Sequence, residues 1–76
     1  MKKNKEIFQK RHYEAVASKI RYDIENSPFL IGTRELRHWN ISLHDTAEFL
    51  SKVFEEDNAS FNKSRFLIAT GITKIL

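Results

Sequence analysis

The chain has 76 residues, of which 30% are charged and 41% hydrophobic, with a formal net charge of +3 and no cysteine. This length allows one small core, which buries roughly 60% of the surface that the unfolded chain exposes. The lack of cysteine excludes disulfides and thiolate metal sites. Two glycines and one proline are too few for the many tight turns of an all-β domain, so the composition predicts an all-α fold.

Charge and hydrophobicity are distributed unevenly along the chain. Residues 1–25 contain seven Lys or Arg and four Asp or Glu, a net charge of +3, whereas residues 43–58 contain one Lys and five acidic residues, a net charge of −4. No apolar run is longer than four residues, and no apolar segment follows the basic start. We therefore expect no membrane span and no signal peptide, and we expect a soluble, cytoplasmic protein of the bacterial host.

The first predicted helix covers residues 9–26. Its apolar residues recur every three or four positions, which places them on one helical face; they are Tyr13, Val16, Ala17, Ile20 and Ile24. The helix should end near Asn26 because Ser27 precedes Pro28 and is restricted to extended geometry. Residues 1–8 are predicted to be a basic N-terminal extension, and residues 9–76 a single helical domain.

Residue patterns in the middle of the chain predict that two helices begin there. Residues 29–31 are apolar, and we expect them to fold back onto the core. Thr33 can cap a short helix over residues 34–39, because its hydroxyl accepts from the free amides of a first turn. Ser42, with Asp45 three residues later, resembles a capping box and predicts a separate helix that ends near Asp57 or Asn58.

The last predicted helix, residues 63–70, has signals at both ends. Asn62 is a favoured N-cap, and Phe61 and Phe66 flank it at the spacing of a hydrophobic staple. Gly71 lies where a left-handed C-cap residue is expected. Together the elements predict a compact three-helix domain with an additional short connecting helix.

The closing segment resembles small uncharacterised helical proteins of bacteriophage and prophage genomes. Asn58, Phe61, Asn62, Arg65 and Phe66 match their Asn-x-x-Phe-(Asp/Asn)-x-x-Arg-Phe motif. An aromatic-x-x-aliphatic-Ala pattern in the first helix adds to the resemblance, which covers most of residues 12–72 but fails over residues 29–41. The resemblance implies a helical fold and an origin in a phage or mobile element, and it offers no catalytic residues.

No catalytic or metal-binding motif is found in the sequence. His44 and Glu48 share a helical face at a four-residue spacing, but two ligands on one helix are a weak metal signal without a third. No nucleophile elbow, glycine-rich phosphate loop or pair of catalytic carboxylates is present. We therefore predict a non-enzymatic protein with no cofactor and no metal site.

Arginine and aromatic residues favour a role in protein binding. Aromatic residues make up 12% of the chain, and both residue types are enriched at interface centres. Trp39 is either a core residue or an exposed anchor beside two arginines. An acidic face could also occupy a basic nucleic-acid channel of a partner. The predicted partner-binding residues are Arg34, Arg37, Trp39, Glu48, Glu55, Glu56 and Asp57.

These features predict an accessory protein of a phage or mobile element that binds a host protein or protein complex. The most specific hypothesis is an inhibitor of a host immune effector, such as a CRISPR complex. A homodimer that buries residues 29–31 or Trp39 is a further expectation, because a small core gains from self-association.

A small DNA-binding regulator is the alternative hypothesis. The last two helices can be interpreted as a helix-turn-helix, with base-reading side chains at the start of the final helix. The basic residues available for nucleic acid are Lys2, Lys3, Lys5, Lys10, Arg11, Lys63 and Arg65. The acidic residues 55–57 directly before the turn argue against this hypothesis, because they would repel a phosphate backbone.

Overall fold

The computed structural model describes residues 7–75, which form three α-helices and one short 3₁₀ helix. Helix α1 is Lys10–Glu25, α2 is Arg34–Asp57 and α3 is Lys63–Thr70, and the 3₁₀ helix is Ile72–Lys74. No described residue lies in a β-strand, so the predicted all-α fold is confirmed. Most of the predicted N-terminal extension lies outside the described residues.

Helix α1 has the predicted bounds and the predicted buried face. It ends at Glu25, and the backbone N–H of the C-cap residue, Asn26, donates to the Tyr22 carbonyl oxygen. Ala17 and Ile20 are its buried residues. Ion pairs one turn apart, such as Lys19 with Asp23 at 2.9 Å, lie on its outer side.

Helix α2 is one continuous helix of 24 residues, so the separate start predicted at Ser42 is wrong. The predicted cap at Thr33 is confirmed, because its Oγ1 accepts from the Leu36 backbone N–H at 3.2 Å. Residues 39–42 include neither glycine nor proline, so nothing forces the helix to stop there. The Trp39 indole N–H also donates to the Asp23 carbonyl oxygen at 3.0 Å. This hydrogen bond connects the N-terminal part of α2 to the end of α1. The predicted connecting helix therefore forms the first turns of α2.

Helix α3 has the predicted caps at both ends. The Asn62 side chain accepts from the Arg65 backbone N–H at 3.0 Å. The ring centroids of Phe61 and Phe66 lie 5.5 Å apart, as the hydrophobic staple requires. Gly71 has a φ of 83°, in the left-handed region. These local contacts explain how so short a helix is held in place.

The core is centred on Phe54 of α2, which is 2% exposed. Its ring contacts four other aromatic rings at centroid distances of 5.0 Å (Phe8), 4.8 Å (Tyr13), 5.5 Å (Phe61) and 5.4 Å (Phe66). A second buried cluster of Ile20, Ala47 and Ile72 continues the core toward the 3₁₀ helix. Five of the nine aromatic residues thus join the three helices to one another, and fewer remain for an interface than composition suggested.

Candidate protein-binding surface

The connection between α1 and α2 exposes two adjacent aliphatic side chains. Leu30 is 78% exposed and Ile31 is 94% exposed. The prediction that residues 29–31 fold back onto the core is therefore wrong. Only Phe29 turns toward the protein, where its ring lies 5.8 Å from that of Trp39. Leu30, Ile31, Arg34 and Arg37 are called the tip surface below.

Hydrogen bonds give this connection a fixed shape. The Leu30 carbonyl oxygen accepts from the Thr33 backbone N–H at 3.3 Å and from its hydroxyl at 2.7 Å. Gly32, between them, has a φ of 86°, which a residue with a side chain rarely adopts. The Phe29 backbone N–H donates to the Ser27 hydroxyl at 3.1 Å. The turn is thus ordered before any partner binds, which lowers the entropy that binding must overcome.

Trp39 supports the turn and is not an exposed anchor. Its ring is half-buried between Phe29 and the end of α1. Its indole N–H is already satisfied by the Asp23 carbonyl oxygen. A partner would therefore contact the residues that Trp39 holds in position, and Trp39 itself would contribute indirectly.

The two predicted arginines lie in the first turn of α2, which directly follows the connection that exposes the aliphatic pair. Arg34 and Arg37 are both exposed, and they line an open cleft of about 430 Å³ whose other walls are Gly32, Thr33, His38 and Ile41. Neither arginine forms an ion pair with another residue of 7–75. Exposed apolar area next to unpaired guanidinium groups is the composition expected of an interface.

The predicted acidic residues do not share a surface with the tip. Glu55 lies 18 residues after Arg37 on the same helix, about 27 Å along the axis at 1.5 Å per residue. Glu48 lies between them, and its carboxylate is 3.9 Å from the Lys63 amine and 4.0 Å from the His44 imidazole. The predicted binding residues therefore fall into a basic end and an acidic end of α2.

Asp57 has a structural role. Its two carboxylate oxygens accept from the backbone N–H groups of Ile7 and Phe8, each at 3.0 Å. Hydrogen bonds to an ionised acceptor are stronger than those between neutral groups. They hold the N-terminal segment so that the Phe8 ring reaches Phe54. This carboxylate is therefore occupied within the protein.

The basic residues of the DNA-binding alternative are only partly brought together. Lys10 and Arg65 line one cleft of about 400 Å³ between α1 and α3, but Glu14 lines it too. Lys63 faces Glu48 of α2, and Arg11 lies exposed on α1. Lys2, Lys3 and Lys5 lie outside the described residues. The candidate recognition helix, α3, has eight residues, and Ile68 is exposed on its outer side.

The histidines do not form a metal site among residues 7–75. No group of three His, Asp or Glu side chains in this range is placed to hold an ion. His12 has a local role, because its Nδ1 accepts from the Gln9 backbone N–H at 2.9 Å.

No helix within residues 7–75 combines the length and the apolar content needed to span a bilayer.

From the sequence, Leu30 and Ile31 were predicted only as core residues or as residues that a homodimer could bury, and not as residues that bind a host protein. Their apolar character assigns Leu30 and Ile31 to the core, although they lie between Pro28 and Gly32 in a connection. Apolar side chains at turn positions, where polar residues are usual, were the available signal.

Comparisons with family models, curated proteins and solved structures found no match to this chain. The resemblance to phage proteins therefore stays a prediction.

Proposed function

We propose that this protein acts by binding another protein through the tip surface, as a non-enzymatic accessory protein of a phage or mobile element. The observation that carries the proposal is the exposure of Leu30 and Ile31 on an ordered turn. Their side chains add nothing to the core, and water-exposed aliphatic pairs favour association. The biological origin rests on the sequence resemblance.

The chemistry of the tip indicates the kind of partner surface. The two aliphatic side chains require an apolar pocket, and Arg34 and Arg37 require carboxylates at its rim. Arginine suits such a rim because its planar guanidinium can bind a carboxylate through two hydrogen bonds. An inhibitor that covers a functional surface of a host immune effector, such as a CRISPR complex, is the most specific form of this proposal.

A pull-down from a bacterial host lysate can test the proposal with two matched double variants. Leu30→Ser/Ile31→Ser removes the apolar part of the tip. Tyr22→Ser/Ile68→Ser removes two exposed apolar residues from α1 and α3, outside the tip surface. We expect wild type and the second variant to recover the same protein and the first variant to lose it. Equal recovery by both variants would show that the tip is not the binding site.

DNA binding is the second candidate, because Lys10 and Arg65 line the same cleft. Binding to random duplex DNA should then weaken steeply as salt rises, with a slope set by the number of phosphates contacted. Lys10→Gln/Arg65→Gln should reduce that slope. Lys19→Gln/Arg21→Gln, which removes two positive charges outside the cleft, should not. No detectable binding at low salt would eliminate this candidate.

A further inference from the structure

The outer side of α2 is an unpartnered helix face along its whole length. Exposed residues recur on it every three or four positions: Arg34, His38, Ile41, Asp45, Phe49, Lys52 and Glu56. The opposite side contains the buried residues Ala47, Ser51 and Phe54. The seven exposed residues, with Arg37 and Glu55 at their flank, are called the outer face of α2 below.

Charge on the outer face is divided between its ends. Arg34 and Arg37 lie in the first turn, which also contains Glu35, and Glu55 and Glu56 lie in the last turn, after Lys52. Neither the two arginines nor Glu55 and Glu56 pair with a charged residue of 7–75. The two ends are about 33 Å apart at 1.5 Å per residue.

This order of charges does not stabilise the helix that carries it. The macrodipole favours negative groups near a helix N-terminus and positive groups near its C-terminus. In α2 the arginines are at the N-terminal end, and the last turn contains acidic residues and no basic one. The arginines and the last-turn carboxylates are therefore not explained by stabilisation of α2, and they remain available for contacts outside the helix.

We propose that the outer face of α2 binds the same face of a second copy of the chain, with the two helices antiparallel. With Asp45 at the two-fold axis, Arg34 faces Glu56 of the second copy, and Arg37 lies within one helical turn of Glu55. In the same register Ile41 faces Phe49, and both are exposed in the single chain. Each contact occurs twice, because the interface is self-complementary.

The same register makes the association weak and dependent on salt. Asp45 faces the Asp45 of the second copy, and this like-charge contact opposes pairing. The face is narrow and mostly polar, as in transient interfaces. The aliphatic pair Leu30 and Ile31 precedes the helix and lies beyond the paired region. The dimer therefore presents one such pair at each end. Its Arg34 and Arg37 are engaged by the second copy, so dimerisation and the proposed binding of a host protein compete for these two arginines.

Charge reversal provides the test, with sedimentation analysis of the full chain over a concentration series at low salt. Arg34→Glu/Arg37→Glu makes both ends acidic, and Glu55→Arg/Glu56→Arg makes both ends basic. Each variant alone should dimerise at least about tenfold more weakly than wild type, because four exposed pairs become repulsive. An equimolar mixture should form a heterodimer, in which every pair is again attractive.

Two further variants distinguish this interface from a general effect of net charge. Arg11→Glu/Arg21→Glu makes the same change in net charge on α1 and should leave the dimer unchanged. Asp45→Asn removes the like-charge contact and should strengthen dimerisation. A wild-type chain that stays monomeric at the highest concentration would overturn the proposal. So would a mixture of folded, oppositely charged variants, verified by circular dichroism, that forms no heterodimer.

This proposal and the proposed function can fail separately. Leu30→Ser/Ile31→Ser should abolish recovery of the partner protein but leave the dimer intact. Loss of dimerisation in that variant would show that the copies associate through the tip, and would contradict the antiparallel pairing.

Discussion

Replacing Phe54 by alanine is expected to cause a large loss of stability in this domain. The side chain is 2% exposed and contacts four aromatic rings, which lie in α1, in α3 and in the segments before them. Phe→Ala substitutions in cores cost about 3–5 kcal/mol, and the edge-to-face contacts place this one toward the upper end. A domain of this size has a free energy of unfolding of roughly 4–11 kcal/mol, so a loss near 5 kcal/mol removes about half of it or more and unfolds the variant at the lower end of that range.

The matched control is Phe49→Ala, on the same helix. Phe49 is 65% exposed, and its replacement should change the free energy of unfolding by no more than about 0.5 kcal/mol. Urea denaturation followed by circular dichroism measures both, at a protein concentration low enough for self-association to add nothing. For a domain of this length, 1 kcal/mol shifts Tm by about 4–8 °C, so a thermal scan also separates the two variants. Equal losses for Phe49 and Phe54 would refute the assignment of the core.

Three further substitutions test local contacts, each measured by urea denaturation. Asp57→Ala removes both acceptors of the Ile7 and Phe8 backbone amides. It should lower the free energy of unfolding by about 1–3 kcal/mol and speed hydrogen exchange at those two amides. Glu56→Gln, at an exposed side chain, should do neither. Asn62→Ala removes the N-cap of α3 and should cost about 1 kcal/mol; an equal loss for exposed Ser64→Ala would show that the cap is not the cause. Gly71→Ala should lower the free energy of unfolding by about 1 kcal/mol, because alanine rarely adopts a φ of 83°. A steric clash does not contribute, since the added Cβ would meet only an Ile24 methyl at 3.9 Å. An unchanged midpoint would contradict the left-handed cap.

The parts of the fold that depend on neighbouring residues could be predicted from the sequence. Helix α3 has its predicted bounds because its cap, Asn62, and its terminating glycine, Gly71, act within a few residues of each other. The end of α1 is similarly set by the residues before Pro28. Local signals were misleading at Ser42, where a capping pattern lies inside a helix. There the bond from Trp39 to the end of α1, 16 residues away in sequence, outweighs the local preference.

The candidate site could be predicted only in part, because burial depends on how the whole chain packs. Arg34 and Arg37 are identifiable from residue type, and the structure places them together. Leu30 and Ile31 are apolar, and that character alone assigns them to the core. The core is instead filled by the aromatic cluster around Phe54. The sequence alone does not show which apolar residues are buried there. The bond between Asp57 and the backbone of Ile7, 50 residues away, was likewise not predictable from local patterns.

We propose that the tip surface serves binding and contributes nothing to stability. The most direct test measures the unfolding midpoint and the recovery of the partner protein on the same Leu30→Ser/Ile31→Ser variant. Because both side chains are mostly in water, we predict a change in the free energy of unfolding within about 0.5 kcal/mol, together with loss of the partner. Full recovery of the partner would contradict the claim. A loss of about 2 kcal/mol or more would also contradict it, because losses of that size come from buried or specifically bonded groups.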